Sequence, residues 1–273
     1  MIFKQSLGVL RQDKELVLFP IISGVTMLAL LAALAVPTVF LTGIAEGRAE
    51  NSPWYYVFFF VFYLVGYFVV IFFNTGLISC AHIRLNGGDP RFRDGLRFAA
   101  DNLSRIAGWA LISATVGMIL QMIRERAGIF GRIFAGILGL AWNLVTFFVI
   151  PVIVFESRGV IDSIKGSASL FKRTWGENVV LRFSVSLILL LLGLVGVVPI
   201  VLAALTKTAA VIVPVVIVIL LYWVALAILG ASLNGIFAAA LYNYAITGRV
   251  PSAYSPDVIA GAFAQRTGRN WWS

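Results

Sequence analysis

Three asparagines within apolar segments are the residues of this sequence best suited to bind a ligand. They are Asn74, Asn143 and Asn234. Asn74 lies 16 residues before Pro90 and Asn234 lies 17 residues before Pro251, so these two occupy matching places, and Asn143 is a looser third. A carboxamide in an apolar helix either hydrogen-bonds a neighbouring helix or, where the helix is broken, helps to form a substrate site at mid-depth. The sequence leaves both interpretations open.

A second set of candidates consists of cations on amphipathic stretches that begin near Phe3, Phe92 and Ile161. These cations are Arg93, Arg97, Lys165, Lys172 and Arg173. The apolar residues of each stretch recur at helical spacing: Phe3, Leu7 and Leu10; Phe92, Leu96, Ala99 and Leu103; Ile161, Ile164, Ala168, Phe171 and Trp175. This pattern is typical of a helix in the membrane interface, with its cations among anionic lipid headgroups. The helices would either brace the bundle or form a basic collar that gathers anionic lipid or a charged solute.

No arrangement of residue types indicates catalysis. The single histidine, His82, cannot build a multi-histidine metal site, and the single cysteine, Cys80, cannot form an internal disulfide. Paired carboxylates, a nucleophile with a histidine partner and a glycine-rich phosphate loop are all missing. The basic residues lack a stacking surface for nucleic acid. We therefore predict a protein that is not an enzyme, holds no metal or cofactor and does not bind nucleic acid.

The composition explains what must position these residues. The chain is 60% hydrophobic and only 12% charged, which is far below the charged fraction of a soluble domain. Six segments approach or exceed the roughly 20 residues that cross a bilayer: Leu16–Leu41, Trp54–Ile83, Ile106–Met122, Ile133–Phe155, Val179–Leu205 and Val211–Ala245. They lack the alternation of barrel strands. The fold class is therefore predicted as an all-α polytopic membrane protein with six transmembrane helices.

The basic residues are distributed unevenly between the two predicted sides of the membrane. Five lie on one side, and they are Arg48, Arg124, Arg126, Arg132 and Lys207, whereas the other sixteen lie on the side that carries both termini. Because cytoplasmic loops carry the excess of Lys and Arg, both termini are predicted to be cytoplasmic. We expect a multi-pass protein of the cell (inner) membrane, with anionic headgroups on the cytoplasmic side as partners.

The order of segments predicts an internal repeat. Each amphipathic stretch precedes two apolar segments, which gives repeats at about 1–86, 87–157 and 158–251 within one transmembrane domain, 1–251, followed by a cytoplasmic tail, 252–273. The sixth segment would measure about 50 Å as a straight helix. It is therefore expected to tilt, to leave the membrane on the cytoplasmic side or to break near Gly230–Gly235. Glu156 and Arg158 are predicted to form a surface ion pair.

Two stretches carry a family resemblance. One runs from Phe72 through Gly87–Pro90 to Trp109, and the other runs from Phe148 through Glu156 and Ser167 to Thr174–Gly176. They resemble an uncharacterised family of six-span prokaryotic membrane proteins, which is distantly similar to the membrane domain of some glycerophosphodiester phosphodiesterases. The resemblance implies a fold but no activity, since the chemistry of those enzymes belongs to a soluble barrel domain that this chain has no segment to form.

These observations lead to two hypotheses about function. The first is a non-enzymatic membrane protein that handles, senses or transports a lipid or amphipathic solute, as a monomer or a homo-oligomer. The second is a structural or accessory subunit of a larger membrane complex. A polar cavity that reaches Asn74 and Asn234 would favour transport, whereas packed apolar surfaces and a protein partner would favour the accessory subunit.

Overall fold

The computed structural model describes residues 2–42, 53–126, 128–174, 184–248, 251 and 254. These residues form helices and no strands, and a 3-10 turn at Lys14–Val17 joins the first two helices. The helices are α1 (Ile2–Gln12), α2 (Leu18–Thr42), α3 (Pro53–Leu85), α4 (Phe92–Asp101), α5 (Leu103–Arg126), α6 (Gly128–Val145), α7 (Val149–Phe155), α8 (Val160–Thr174), α9 (Ser184–Val195), α10 (Val197–Leu205) and α11 (Ala209–Thr247).

Six helical segments of the described chain are long and apolar enough to cross a membrane. Helices α2, α3, α5 and α11 each form one, whereas α6 with α7 and α9 with α10 form the other two. Large apolar side chains cover their surfaces; Leu28 is 67% exposed and Leu221 is 65% exposed. A surface of this kind is suited to lipid rather than to water. The prediction of an all-α polytopic membrane protein with six transmembrane helices is confirmed.

Helix α11 is continuous, so the sixth segment does not break near Gly230–Gly235. Its two halves differ in burial. Between Ala209 and Leu229 only Ile219 is buried, whereas most residues from Gly230 to Asn243 are buried. Because about 20 residues suffice to cross the hydrocarbon layer, the first half has the length and exposure of a lipid-facing span. The second half packs against protein, and this contrast favours exit from the membrane over a break.

The glycines at these expected breaks serve helix packing instead. A Cβ atom on Gly230 would lie 2.8 Å from Leu189 Cδ1, so glycine lets α9 approach α11 closely. Helix α3 is likewise continuous through Asn74–Gly76. A glycine inside a helix costs only about 1 kcal/mol relative to alanine, which packing can offset.

The helical segments break at two other places. The fourth span is interrupted at residues 146–148, between α6 and α7, and the fifth is interrupted at Gly196, between α9 and α10. Backbone groups freed in hydrocarbon need partners, because no water is available there. Ser167 supplies them at the first break, where its Oγ accepts from Phe148 N at 3.0 Å and donates to Val145 O at 2.6 Å.

At the second break the partners come from α11. The hydroxyl of Tyr222 donates to Leu192 O at 2.7 Å, and the indole Nε1–H of Trp223 donates to Gly193 O at 3.1 Å. Both interruptions are therefore closed by side chains from another helix. Trp142 is mid-span in the fourth segment and stacks on Trp109 with ring centroids 5.8 Å apart, which agrees with the packing role expected of an intramembrane tryptophan.

The described residues divide into two compact units. Unit one comprises the described parts of Met1–Pro20, Ala81–Asp89 and Thr174–Ser273, and unit two comprises those of Ile21–Cys80 and Pro90–Arg173. In unit one, α1 packs against α9 and α11, and α9 and α10 pack against α11. In unit two, α5 packs against α6 and α4 packs against α5. The core of unit two includes Ile71, Ala99, Ile106, Trp109 and Ile153.

The three predicted amphipathic helices are present as α1, α4 and α8, but small residues dominate their buried faces. Helix α1 buries Ser6, Val9 and Leu10; α4 buries Gly95 and Ala99; α8 buries Ser163 and Ser167. By contrast, Ile161 is 57% exposed, and Leu103 belongs to α5 and is 48% exposed. The predicted apolar faces are therefore only partly the packed ones, because small side chains allow these helices to approach other helices closely. The side chain of Phe3, residue Trp175 and the tail after Tyr254 lie outside the described residues.

Candidate functional site

The three asparagines occupy different surroundings. Asn74 is half-buried on α3, whereas Asn143 on α6 and Asn234 on α11 are exposed. Asn234 lies 25 residues into α11, about 38 Å along its axis, and therefore towards the C-terminal end of the helix rather than at mid-depth. Asn74 and Asn143 both belong to unit two, and neither lines the two surface depressions of that unit described below. The ligand role predicted for these amides stays a prediction.

The predicted cations are exposed wherever their side chains are described. Arg93 and Arg97 project from α4, and Lys165 and Lys172 project from α8. The side chain of Arg173 lies outside the described residues, although its backbone belongs to α8. Exposed cations on helices whose other face is packed against protein are free to meet an anionic surface.

A polar depression of about 510 Å³ lies along the beginning of α8, and we call it the α8 groove. It is lined by Arg158, Gly159, Asp162, Lys165, Gly166 and Ser169. Lys165 Nζ lies 3.8 Å from Asp162 Oδ1, and Arg158 Nε lies 2.7 Å from Glu156 Oε2. The predicted surface ion pair of Glu156 with Arg158 is thus confirmed. Each cation of the groove has an acid beside it, so the site carries both signs of charge.

An apolar depression of about 420 Å³ lies between α3 and α5, and we call it the α3–α5 groove. It is lined by Leu64, Val65, Phe68, Ala107, Gly108 and Leu111. A Cβ atom on Gly108 would lie 3.0 Å from Val160 Cγ2, so α5 and the start of α8 touch at this glycine. Val160 follows Gly159, which lines the α8 groove. The apolar and polar depressions are therefore neighbours within unit two.

Sequence reasoning missed a polar cluster in unit one. Its members are Ser6, Asp13, Arg84, Asn86, Asp89, Asn243 and Tyr254. Arg84 bonds Asp89 and also lies 3.4 Å from Asp13 Oδ2, and Asn243 Nδ2 donates to Asn86 Oδ1 at 3.0 Å. The hydroxyls of Ser6 and Tyr254 are 2.7 Å apart. These bonds tie α1, the end of α3 and the end of α11 together, which is a structural role.

Burial dominates the electrostatics of this cluster. Asp13 is only 5% exposed, and burial raises the pKa of its carboxyl above the ordinary 3.8, although the neighbouring Arg84 opposes that rise. Burial likewise raises the pKa of Tyr254 to about 12 against the opposing hydrogen bond from Ser6. An ionised Asp13 is therefore poorly compensated by its single long contact with Arg84.

We expect Asp13→Asn to preserve or raise the melting temperature at pH 7. Because the folded pKa of Asp13 is raised, its contribution to stability is full below pH 3.8 and is lost as the pH rises through the folded value. The charged carboxylate thus costs stability at neutral pH, and the neutral amide avoids that cost. Melting curves of the purified wild type and variant from pH 4 to pH 7 would test this. A variant that melts lower than the wild type by the same margin at every pH would show that the Arg84 contact outweighs burial.

Comparison with known proteins adds a family. No curated protein and no solved structure matches this chain. The model of a family of unknown function, DUF6159, matches residues 54–252, which include α3 to α11 with both grooves. The expected membership of an uncharacterised family is confirmed, while the likeness to glycerophosphodiester phosphodiesterase membrane domains stays a prediction. The chain belongs to the DUF6159 family of unknown function.

Proposed function

We propose that this chain is a non-enzymatic membrane protein that handles a lipid or amphipathic solute by binding anionic lipid through α4 and α8. The observation that carries this proposal is the exposure of Arg93, Arg97, Lys165 and Lys172 on helices that are anchored to the core by their opposite faces. A cation held on a packed helix loses little further freedom when it meets a headgroup. Each such cation near an anionic leaflet contributes about 1 kcal/mol.

The anchoring of α8 is the strongest support for a fixed basic surface. Ser167 is fully buried and bonds the backbone on both sides of the break between α6 and α7. Lys165 and Lys172 lie on the same helix and are exposed. The position of these cations is therefore set by a membrane span rather than by a mobile loop.

The proposed orientation has both termini in the cytoplasm of a cell (inner) membrane. Its support is the charge asymmetry of the sequence together with the packing of α1 against α11 in unit one. An even number of spans returns the chain to the side on which it began. Cysteine accessibility in intact cells, with cysteine placed at Lys4 or at Arg124, would test this orientation.

The lipid proposal predicts a charge-dependent lipid complement. We expect the variant Arg93→Gln/Arg97→Gln/Lys165→Gln/Lys172→Gln to retain severalfold less anionic lipid than the wild type, because up to about 4 kcal/mol of headgroup attraction is removed. The measurement is mass spectrometry of lipids that remain after mild detergent extraction from native membranes. A matched control is Arg124→Gln/Arg132→Gln, which removes exposed cations from the predicted opposite side.

Two results would contradict the proposal. One is an equal loss of anionic lipid in the control and in the α4–α8 variant, since binding would then follow net charge alone. The other is a foreign protein recovered in stoichiometric amount with no enriched lipid, which would favour the accessory subunit. The large exposed apolar surface of α11 would then belong to that partner.

A further inference from the structure

The α8 groove and the α3–α5 groove together suit one molecule that is polar at one end and apolar at the other. The polar groove contains Arg158, Lys165 and Asp162, whereas the neighbouring depression is lined by apolar residues and glycine. Gly108 lines the apolar depression and contacts Val160, whose neighbour Gly159 lines the polar one. A ligand headgroup in the first would place its hydrocarbon chain beside the second.

The charges of the α8 groove select the headgroup. Lys165 and Arg158 can bind a phosphate diester, and the planar guanidinium retains donors besides the one that Glu156 occupies. Each cation nevertheless has a carboxylate nearby, so a purely anionic ligand gains little net attraction. Asp162 lies 3.8 Å from Lys165, beyond a short hydrogen bond, and keeps acceptor capacity for a primary ammonium. A headgroup with both a phosphate and an ammonium matches this pattern better than an anion.

We propose that these two grooves form a binding site for a single phospholipid with a zwitterionic amino headgroup, of the phosphatidylethanolamine class. The phosphate would contact Arg158 and Lys165, the ammonium would contact Asp162, and an acyl chain would lie against Phe68, Ala107 and Leu111. This site rests on the proposed lipid-handling function but differs from it in ligand: the exposed cations of α4 and α8 attract anionic lipid collectively, whereas the grooves retain one amino lipid.

The test uses the full chain in detergent and native mass spectrometry with added phosphatidylethanolamine, phosphatidylglycerol or phosphatidylcholine of identical acyl chains. We expect the wild type to retain one phosphatidylethanolamine preferentially. Arg158→Gln/Lys165→Gln should weaken its binding by about tenfold or more, since each charge-assisted hydrogen bond to phosphate contributes about that factor. Asp162→Asn should abolish the preference over phosphatidylglycerol, because the ammonium loses its acceptor. This substitution is at an exposed position and leaves the fold intact.

The apolar part of the site has its own variant. Ala107→Trp fills the α3–α5 groove from an exposed position and should reduce retention of all three lipids. Ala141→Trp is the control, since Ala141 is exposed on α6 outside the groove. Arg93→Gln/Arg97→Gln is the control for charge, since it removes two exposed cations of the same unit and should spare the amino lipid.

The outcomes separate the two proposals. Equal retention of phosphatidylglycerol and phosphatidylethanolamine by the wild type, or an equal effect of Arg93→Gln/Arg97→Gln and Arg158→Gln/Lys165→Gln, would overturn the groove site. A collective loss of anionic lipid in the α4–α8 variant would still support the proposed function in that case. Conversely, one retained amino lipid without any charge-dependent anionic enrichment would support the groove and overturn the basic collar.

Discussion

Ser167→Ala is expected to destabilise the protein strongly although it removes a single oxygen atom. The Oγ of Ser167 accepts from Phe148 N and donates to Val145 O across the break in the fourth span, and Ser167 is fully buried. Its removal leaves one donor and one acceptor without these bonds, at about 1–3 kcal/mol for each group. We therefore expect a loss of about 2–5 kcal/mol in the free energy of unfolding.

The measurement is thermal or denaturant unfolding in detergent, with Ser169→Ala as the matched control. Ser169 lies on the same helix two residues later and is exposed, so its loss should change the stability little. Ser163→Ala is a second control, because Ser163 Oγ bonds only the Gly159 carbonyl of its own helix among its described contacts. If Ser167→Ala unfolded at the same midpoint as Ser169→Ala, the serine would not be what stabilises the break.

The spans and the short helices could be predicted because their signals are local. Length and hydropathy identify a membrane span, and the apolar spacing identifies an amphipathic helix, without any knowledge of partners. The predicted starts at Phe3, Phe92 and Ile161 lie within a residue of the starts of α1, α4 and α8. The buried faces were harder to predict, since Ser163 and Ser167 of α8 face the core because of what they bond there.

The breaks could not be predicted from local composition. Asn74–Gly76 and Gly230–Gly235 contain the residues expected to interrupt a helix, yet α3 and α11 are continuous through them. The observed breaks depend on partners 19 and 30 residues away along the chain, at Ser167 and Trp223. A break in a membrane span occurs where another helix can satisfy the freed backbone groups, and that is a tertiary property.

The candidate sites show the same division. Exposure of Arg93, Arg97 and Lys165 follows from their place on amphipathic helices and was predictable. The polar cluster of unit one was not, because its bonds join residues 71, 157 and 248 positions apart. One sequence signal could have suggested it: Asp13 precedes an apolar segment, where an acid needs a partner or a cost in burial.

Gly196→Ala is expected to destabilise the protein as well, because the break in the fifth span leaves no room for a methyl group. The backbone of Gly196 is in the right-handed helical region, so alanine is conformationally acceptable there. Its Cβ, however, would lie 2.8 Å from Trp223 Nε1 and 3.2 Å from Tyr222 Cδ1. These two side chains must shift, and their hydrogen bonds to Gly193 O and Leu192 O lengthen or break.

Overpacking costs about 1–3 kcal/mol, and each backbone carbonyl left unpaired adds about 1–3 kcal/mol. Gly193→Ala is the matched control on the preceding turn of α9, since its Cβ would meet only Leu226 Cδ2, at 3.9 Å. Alanine there should stabilise the helix by up to about 1 kcal/mol. The two alanine variants should therefore shift the unfolding midpoint in opposite directions, and the intrinsic fluorescence of Trp223 should change only in Gly196→Ala. Equal midpoints for the two variants would mean that Tyr222 and Trp223 do not hold the break closed.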